Sequence, residues 1–159
     1  RTSLNMSAET TIKLSEIDNI IGIKEASSDM DQIAKIINST DEDFIVWSGN
    51  DADIISVMAM GGDGVVSVAS HLVGNELKSI INSIIKGDMT TANNLNSQLL
   101  DLYDVLFIES NPMPVKWALN HLGFSAGKPR LPLLEPNQNT RKKLVNEINK
   151  MSKNYYTSS

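Results

Sequence analysis

The chain of 159 residues contains no cysteine and only two histidines, His71 and His121. Without cysteine, these residues can form no disulfide bond, no thiolate nucleophile and no cysteine-based zinc site. Neither histidine has a partner at the spacing that metal ligands use. We therefore interpret both histidines as structural residues, and we expect no metal or other cofactor.

Excess positive charge and long apolar runs are also missing. The chain carries 14 Lys and Arg against 19 Asp and Glu, a formal net charge of -5, so no basic stripe is available to bind nucleic acid. No apolar stretch reaches the ~18 residues that a membrane span needs, which argues against a membrane partner. No basic and apolar leader follows Arg1, so the cytoplasm is the expected compartment. Because a helical pattern follows directly on an initial arginine, we expect a piece of a longer protein.

The first 72 residues alternate between strand and helix patterns. Short apolar runs rich in β-branched residues predict three strands buried on both faces: Ile20–Lys24, Phe44–Trp47 and Val65–Val68. Helices are predicted over Ser7–Glu16 and Asp51–Met60, and another helix is predicted to begin at Asp29. This alternation is typical of βα units around a parallel sheet. After residue 72 only helices are predicted, over Asn75–Lys86, Thr90–Phe107, Pro114–Leu122 and Asn139–Met151.

Polar clusters follow the three predicted strands. They are Lys24-Glu25-Ala26-Ser27, Ser48-Gly49-Asn50-Asp51 and Ser67-Val68-Ala69-Ser70. Because the carboxyl ends of parallel strands meet at one rim, we expect these clusters to converge on a site. Simpler interpretations stay open: Asp51 as a helix cap, and Ser67 and Ser70 as strand-end hydrogen-bonding groups.

Lys24 is the candidate nucleophile. A charged amine at the mouth of an apolar interior loses solvation, which lowers its pKa and frees it to attack a carbonyl as a Schiff-base lysine. The alternative is a strand-end lysine whose amine extends into solvent. Lys116 is a second amine, but it lies in the first turns of a predicted helix and is expected to be exposed.

Four motifs occur in an order that resembles a known family. They are Gly22-Ile23-Lys24-Glu25-Ala26-Ser27, Ser48-Gly49-Asn50-Asp51, Gly61 to Val68, and Asn111 to Leu119. Together they resemble the 4-hydroxy-tetrahydrodipicolinate synthase (dihydrodipicolinate synthase) family over about residues 1–151. The resemblance implies an α/β fold, the second half of a (β/α)8 TIM barrel (strands 6–8) followed by a C-terminal helical domain. Residues 1–72 would form the C-terminal part of the barrel, and residues 73–159 its final helix and the helical domain.

The resemblance also implies roles for particular residues. Lys24 would form a Schiff base with pyruvate, which then condenses with aspartate semialdehyde in lysine and diaminopimelate biosynthesis. Arg1 would hold the carboxylate of the aldehyde, the backbone of Val66 would lie against pyruvate, and Gly49 would leave room for the substrate. The tyrosine and threonine hydroxyls that relay protons, and any lysine-feedback site, would belong to the N-terminal half of the same enzyme. The family is commonly a homotetramer.

Two alternatives to this lyase remain. One is a related pyruvate-dependent aldolase, such as N-acetylneuraminate lyase or a 2-keto-3-deoxy sugar-acid aldolase, which uses the same type of lysine. The other is an inactive fragment that folds only by docking onto another polypeptide, because three βα units cannot close an eight-stranded barrel.

Overall fold

The computed structural model describes residues 4–156, with side chains described through residue 151. The first part of the chain consists of α1 (Ala8–Ser15), β1 (Gly22–Glu25), α2 (Met30–Ser39), β2 (Ile45–Ser48), a 3-10 turn (Asp51–Asp53), α3 (Ile54–Ala59) and β3 (Gly64–Val65). Helices follow: α4 (Ser70–Ile85), α5 (Met89–Ser97), α6 (Leu100–Phe107), α7 (Met113–His121) and α8 (Gln138–Tyr156). None of the described helices is long and apolar enough to cross a membrane.

The three strands form one parallel sheet in the order β1-β2-β3. Lys24 of β1 pairs with Trp47 of β2, and Ser48 of β2 pairs with Val65 of β3. This arrangement confirms the predicted parallel sheet of βα units.

Helices α1 and α2 begin where the sequence predicts. The side chain of Ser7 accepts a hydrogen bond from the backbone N–H of Thr10, and that of Asp29 accepts one from Gln32. Each cap satisfies a backbone donor that the first turn of a helix leaves unpaired. The two helices are also joined by an ion pair between Glu9 and Lys35, whose hydrogen bond lowers the pKa of the Glu9 carboxyl to about 2.

A small apolar core lies between these helices and the sheet. Its buried members are Ala8, Ile36, Phe44 and Val46, and Ile23 of β1 packs against them. Because side chains alternate along a strand, Ile23 and Val46 define the helix-facing side of the sheet. The intervening residues of β1 and β2 therefore face the opposite side.

β3 is shorter than predicted, ending at Val65 rather than Val68. The backbone leaves the ladder after Val66, whose N–H still donates to the carbonyl of Ser48. The Ser67 hydroxyl then donates to the buried carboxylate of Asp51. The cap positions before the 3-10 turn and before α3 are Asn50 and Asp53, so Asp51 does not occupy the cap position that one interpretation gave it.

The predicted helix over 90–107 is two helices, α5 and α6, separated by Gln98 and Leu99. At the break, Asn96 is buried and accepts a hydrogen bond from the hydroxyl of Tyr103. The chain divides into two compact units. One contains the described residues up to Ser67 with Ser79–Asn93, and the other contains Val68–Lys78 with those from Asn94 onward. The boundary after residue 72 stays a prediction from the family resemblance.

The expectation that the strands are covered on both faces is met only in part. Opposite the core, Ile45 and Trp47 of β2 are half-buried, whereas Lys24 and Val66, the residue after β3, are exposed. Among the described residues, no strand pairs with the outer edge of β1 or of β3. Open edges and exposed apolar side chains of this kind favour pairing with another chain.

We predict that this chain, expressed alone, associates into heterogeneous oligomers. The measurement is size-exclusion chromatography with light scattering. Co-expression with a polypeptide whose strands pair with both edges of the sheet should give a defined soluble species, because those strands would cover the exposed backbone groups. A monodisperse monomer of the chain alone would contradict this account of the open sheet.

Candidate active site

Lys24 is the third residue of β1 and lies near the carboxyl end of the strand. Its neighbours Ile23 and Glu25 face helix α2, so the Lys24 side chain extends from the opposite side of the sheet. The residue is exposed. Of the two interpretations that the sequence left open, an amine held against an apolar interior and an exposed strand-end lysine, the second describes Lys24 in this chain.

Gly49, just after β2, lies directly beside Lys24. A Cβ atom added to Gly49 would stand 3.0 Å from Cε of Lys24 and 2.5 Å from Cβ of Ala26. The second distance is shorter than two carbon atoms tolerate. Only glycine therefore fits here, and the space it leaves is occupied by the stem of the candidate nucleophile.

The backbone holds this pair together. The N–H of Gly49 donates to the carbonyl of Glu25 over 2.6 Å, which extends the ladder between β1 and β2 by one residue. The N–H of Val66 donates to the carbonyl of Ser48 over 2.8 Å. Lys24, Gly49 and Val66 thus lie at the carboxyl-terminal end of the sheet. The sequence predicted that the polar clusters after the strands converge at this end.

Side chains also join the loops after β1 and β2. The Asn50 amide donates to the hydroxyl of Ser28 over 2.7 Å and to the carbonyl of Ala26 over 3.3 Å. The Ser28 hydroxyl donates in turn to the carboxylate of Asp53 over 2.6 Å. Ser28 has a φ of 59°, a left-handed conformation that these contacts hold in place. The first two polar clusters therefore form one connected network.

Glu25 is a buried residue of this site that was not among the predicted site residues. Glu25 is only 5% exposed, and its carboxylate accepts hydrogen bonds from the backbone and hydroxyl of Ser27 and from the amide of Gln32. A buried carboxylate requires such donors to offset its lost hydration. The sequence feature that could have indicated a role for Glu25 is its position, an acidic residue at the end of an otherwise apolar strand.

Arg1 lies outside the described residues. The first described residues of the chain, Leu4–Met6, line a cavity of about 490 Å³ together with Ile23–Ser27. Lys24 is in this lining, so the cavity lies at the candidate nucleophile.

The other residues considered in the sequence lie in the helical part of the chain. His121 stacks on Trp117 with ring centroids 5.1 Å apart, and the guanidinium carbon of Arg141 lies 5.8 Å from the Trp117 ring centre. These contacts pack the His121 ring against its neighbours. The Lys116 amine is half-buried rather than exposed, and donates to the carbonyl of Lys128 over 3.0 Å. Among the described residues, no group of His, Asp or Glu side chains is arranged to hold a metal ion.

Comparison with known proteins gives consistent matches. The model of the dihydrodipicolinate synthetase family matches residues 1–151. A 4-hydroxy-tetrahydrodipicolinate synthase of Dehalococcoides mccartyi strain CBDB1 is 51% identical over 140 residues, which are 88% of this chain and 47% of that protein. An Archaeoglobus fulgidus protein of the same name is 43% identical over 144 residues, 91% of this chain and 50% of the relative.

Solved structures agree with the sequence matches. The dihydrodipicolinate synthase of Aquifex aeolicus matches with a TM-score of 0.91 and 39% identity, over 96% of this chain and 52% of that one. The Cyanidioschyzon merolae enzyme with lysine bound matches with a TM-score of 0.90 and 40% identity, over 93% of this chain and 50% of that one.

The chain spans about half the length of the curated relatives it matches. Its three parallel strands and following helices confirm the predicted fold class, the second half of a (β/α)8 barrel followed by helices. The family match and the identities extend over nearly the whole chain. The chain therefore belongs to the dihydrodipicolinate synthetase family.

Proposed function

We propose that this chain is the carboxyl-terminal half of a Schiff-base lyase. The lyase condenses pyruvate with aspartate semialdehyde to 4-hydroxy-tetrahydrodipicolinate, in lysine and diaminopimelate biosynthesis in the cytoplasm. The observation that carries the proposal is the placement of Lys24. Its side chain extends from the carboxyl end of a parallel strand, beside Gly49 and into the lining of a cavity. In α/β barrels the chemistry takes place at this end of the strands.

The chemistry follows from the amine. Unprotonated Nζ attacks the keto carbon of pyruvate, and loss of water leaves an iminium ion. The positive nitrogen then stabilises removal of a proton from the methyl carbon, which gives an enamine. The enamine carbon attacks the aldehyde of aspartate semialdehyde, forming the new carbon–carbon bond and an alkoxide that takes up a proton. The amino group that came with the aldehyde substrate then attacks the iminium carbon, which closes the ring and releases the amine of Lys24. In this proposal the proton-relay hydroxyls come from the N-terminal half of the enzyme.

Three further residues have roles in the proposal. Arg1 binds the carboxylate of the aldehyde, because a guanidinium can make two parallel hydrogen bonds to it. The backbone of Val66 lies against pyruvate, and Gly49 leaves the space in which Lys24 reacts. The completed barrel covers the face from which Lys24 extends, and the whole enzyme is a homotetramer.

The proposal predicts a covalent adduct on Lys24. In the assembled protein, meaning this chain joined to the amino-terminal half of the Dehalococcoides mccartyi relative, borohydride with pyruvate should modify the peptide that contains Lys24. Mass spectrometry of the digest makes the measurement. Lys24→Arg should abolish the adduct, because a guanidinium is not nucleophilic at neutral pH. Lys116→Arg is the matched control and should leave it unchanged. Absence of the adduct from the unchanged protein would refute the proposal.

A second prediction separates this lyase from its sister aldolases. The assembled protein should consume pyruvate with aspartate semialdehyde and should not cleave N-acetylneuraminate or a 2-keto-3-deoxy sugar acid. The measurement is a coupled assay of pyruvate release or consumption with each substrate. Cleavage of a sugar acid at the higher kcat/KM would assign the chain to the sister aldolases while keeping Lys24 as the nucleophile.

A third prediction concerns the glycine beside the lysine. Gly49→Ala should slow formation of the pyruvate adduct by about 10-fold or more, because a displacement of ~1 Å at a reacting group can cost ~100-fold. Rates of adduct formation measure the effect. Ala26→Gly in the same protein should recover part of the loss, since it removes the closest contact of the new methyl group.

Gly74→Ala is the matched control for that substitution. No atom lies within 4 Å of a Cβ at Gly74, and adduct formation should stay at the original rate. An unchanged rate in Gly49→Ala would contradict the close packing of Gly49 against Lys24.

A further inference from the structure

Two segments face each other across the cavity at Lys24. One is Leu4–Met6, which precedes helix α1, and the other is Ile23–Ser27 at the end of β1. They are separated along the chain by helix α1, so their relative position depends on contacts made in the folded protein.

Gln32, in the first turn of α2, connects the two segments. Its Nε2 donates to the Glu25 carboxylate over 2.7 Å, to the side-chain carbonyl of Asn5 over 3.2 Å and to the backbone carbonyl of Met6 over 3.3 Å. Its Oε1 accepts a hydrogen bond from the Asn5 amide over 3.2 Å. The amide of Gln32 therefore contacts both walls of the cavity.

The hydrogen bonds of the Gln32 amide form a bridge from Glu25 to Asn5 and Met6. The two ends of this bridge differ in burial. Glu25 is almost fully buried, and its carboxylate accepts hydrogen bonds from Ser27 as well as from Gln32. Gln32 is itself held at its backbone, where its N–H donates to the capping carboxylate of Asp29. Asn5, by contrast, is exposed. The bridge is thus fixed at its buried end by Glu25, the neighbour of Lys24, and it positions Leu4–Met6 relative to that end.

We propose that Gln32 is a positioning residue that sets the place of the Leu4–Met6 wall relative to Lys24. The inference rests on the proposed function, in which Arg1, three residues before Leu4, binds the carboxylate of the aldehyde. The bridge then governs binding of the second substrate, aspartate semialdehyde. Pyruvate, bound through Lys24, depends on it much less.

The test uses the assembled protein with three variants. Gln32→Met keeps the length of the side chain and removes every hydrogen bond of its amide. Asn5→Ala removes only the far end of the bridge at an exposed position, so it leaves the core intact. Asn38→Ala is the matched control, an exposed asparagine whose amide donates to a backbone carbonyl within α2.

For Gln32→Met and Asn5→Ala we expect KM for aspartate semialdehyde to rise about five-fold, the effect of losing one or two net hydrogen bonds. The yield and rate of the borohydride-trapped pyruvate adduct should change by less than about two-fold, because the β1–β2 ladder that places Lys24 is untouched. Because both variants break one bridge, the double variant should raise KM no further than Gln32→Met does. Asn38→Ala should match the unchanged protein.

Any one of three results would overturn the inference. The first is an unchanged KM for aspartate semialdehyde in both variants. The second is an equal loss for both substrates, which is what partial unfolding would produce. The third is additivity of the two substitutions in the double variant, because a shared bridge can be broken only once. Failure of the proposed function is distinguishable, because it would appear as no pyruvate adduct in the unchanged protein.

Discussion

The parallel pairing of β1 with β2 is the interaction on which the candidate site depends. Gly22 allows the two strands to approach, since a Cβ there would stand 2.4 Å from the carbonyl oxygen of Ile45. The ladder continues past the strands through the bond from the Gly49 N–H to the Glu25 carbonyl. Lys24 and Gly49 are neighbours because of this register, and a shift by one residue would turn Lys24 toward the helices. The candidate nucleophile is therefore placed mainly by main-chain hydrogen bonds.

The two faces of the sheet have different roles. On the helix side, Ile23 and Val46 bury apolar surface, and Glu25 adds a satisfied polar contact at the strand end. The other face carries Lys24, which is exposed in this chain. The packing that holds the strands is thus separate from the face that would do the chemistry. This separation explains how half of a barrel retains the local geometry of the site although the enclosure that would desolvate the amine is missing.

Much of the fold followed from the sequence, and the errors have physical causes. Periodicity and caps such as Ser7 and Asp29 are local signals, so the starts of α1 and α2 and the βα order were predicted correctly, whereas α4 begins at Ser70 rather than at Asn75. The sequence left open whether Lys24 is buried or exposed, because its burial depends on which other strands close the sheet. The short β3 and the role of Asp51 depend on a contact with Ser67, 16 residues away. The Glu25–Gln32 contact was missed for the same reason, since no local pattern connects those two residues to Asn5.

The central claim is that strand register places Lys24 as the pyruvate-binding amine beside Gly49. A crystal structure of the assembled protein soaked with pyruvate tests this most directly. The account predicts continuous electron density from Nζ of Lys24 to the former keto carbon of pyruvate, with Gly49 in contact with the lysine stem. Pyruvate bound away from an unmodified Lys24, or attached to another lysine, would contradict it.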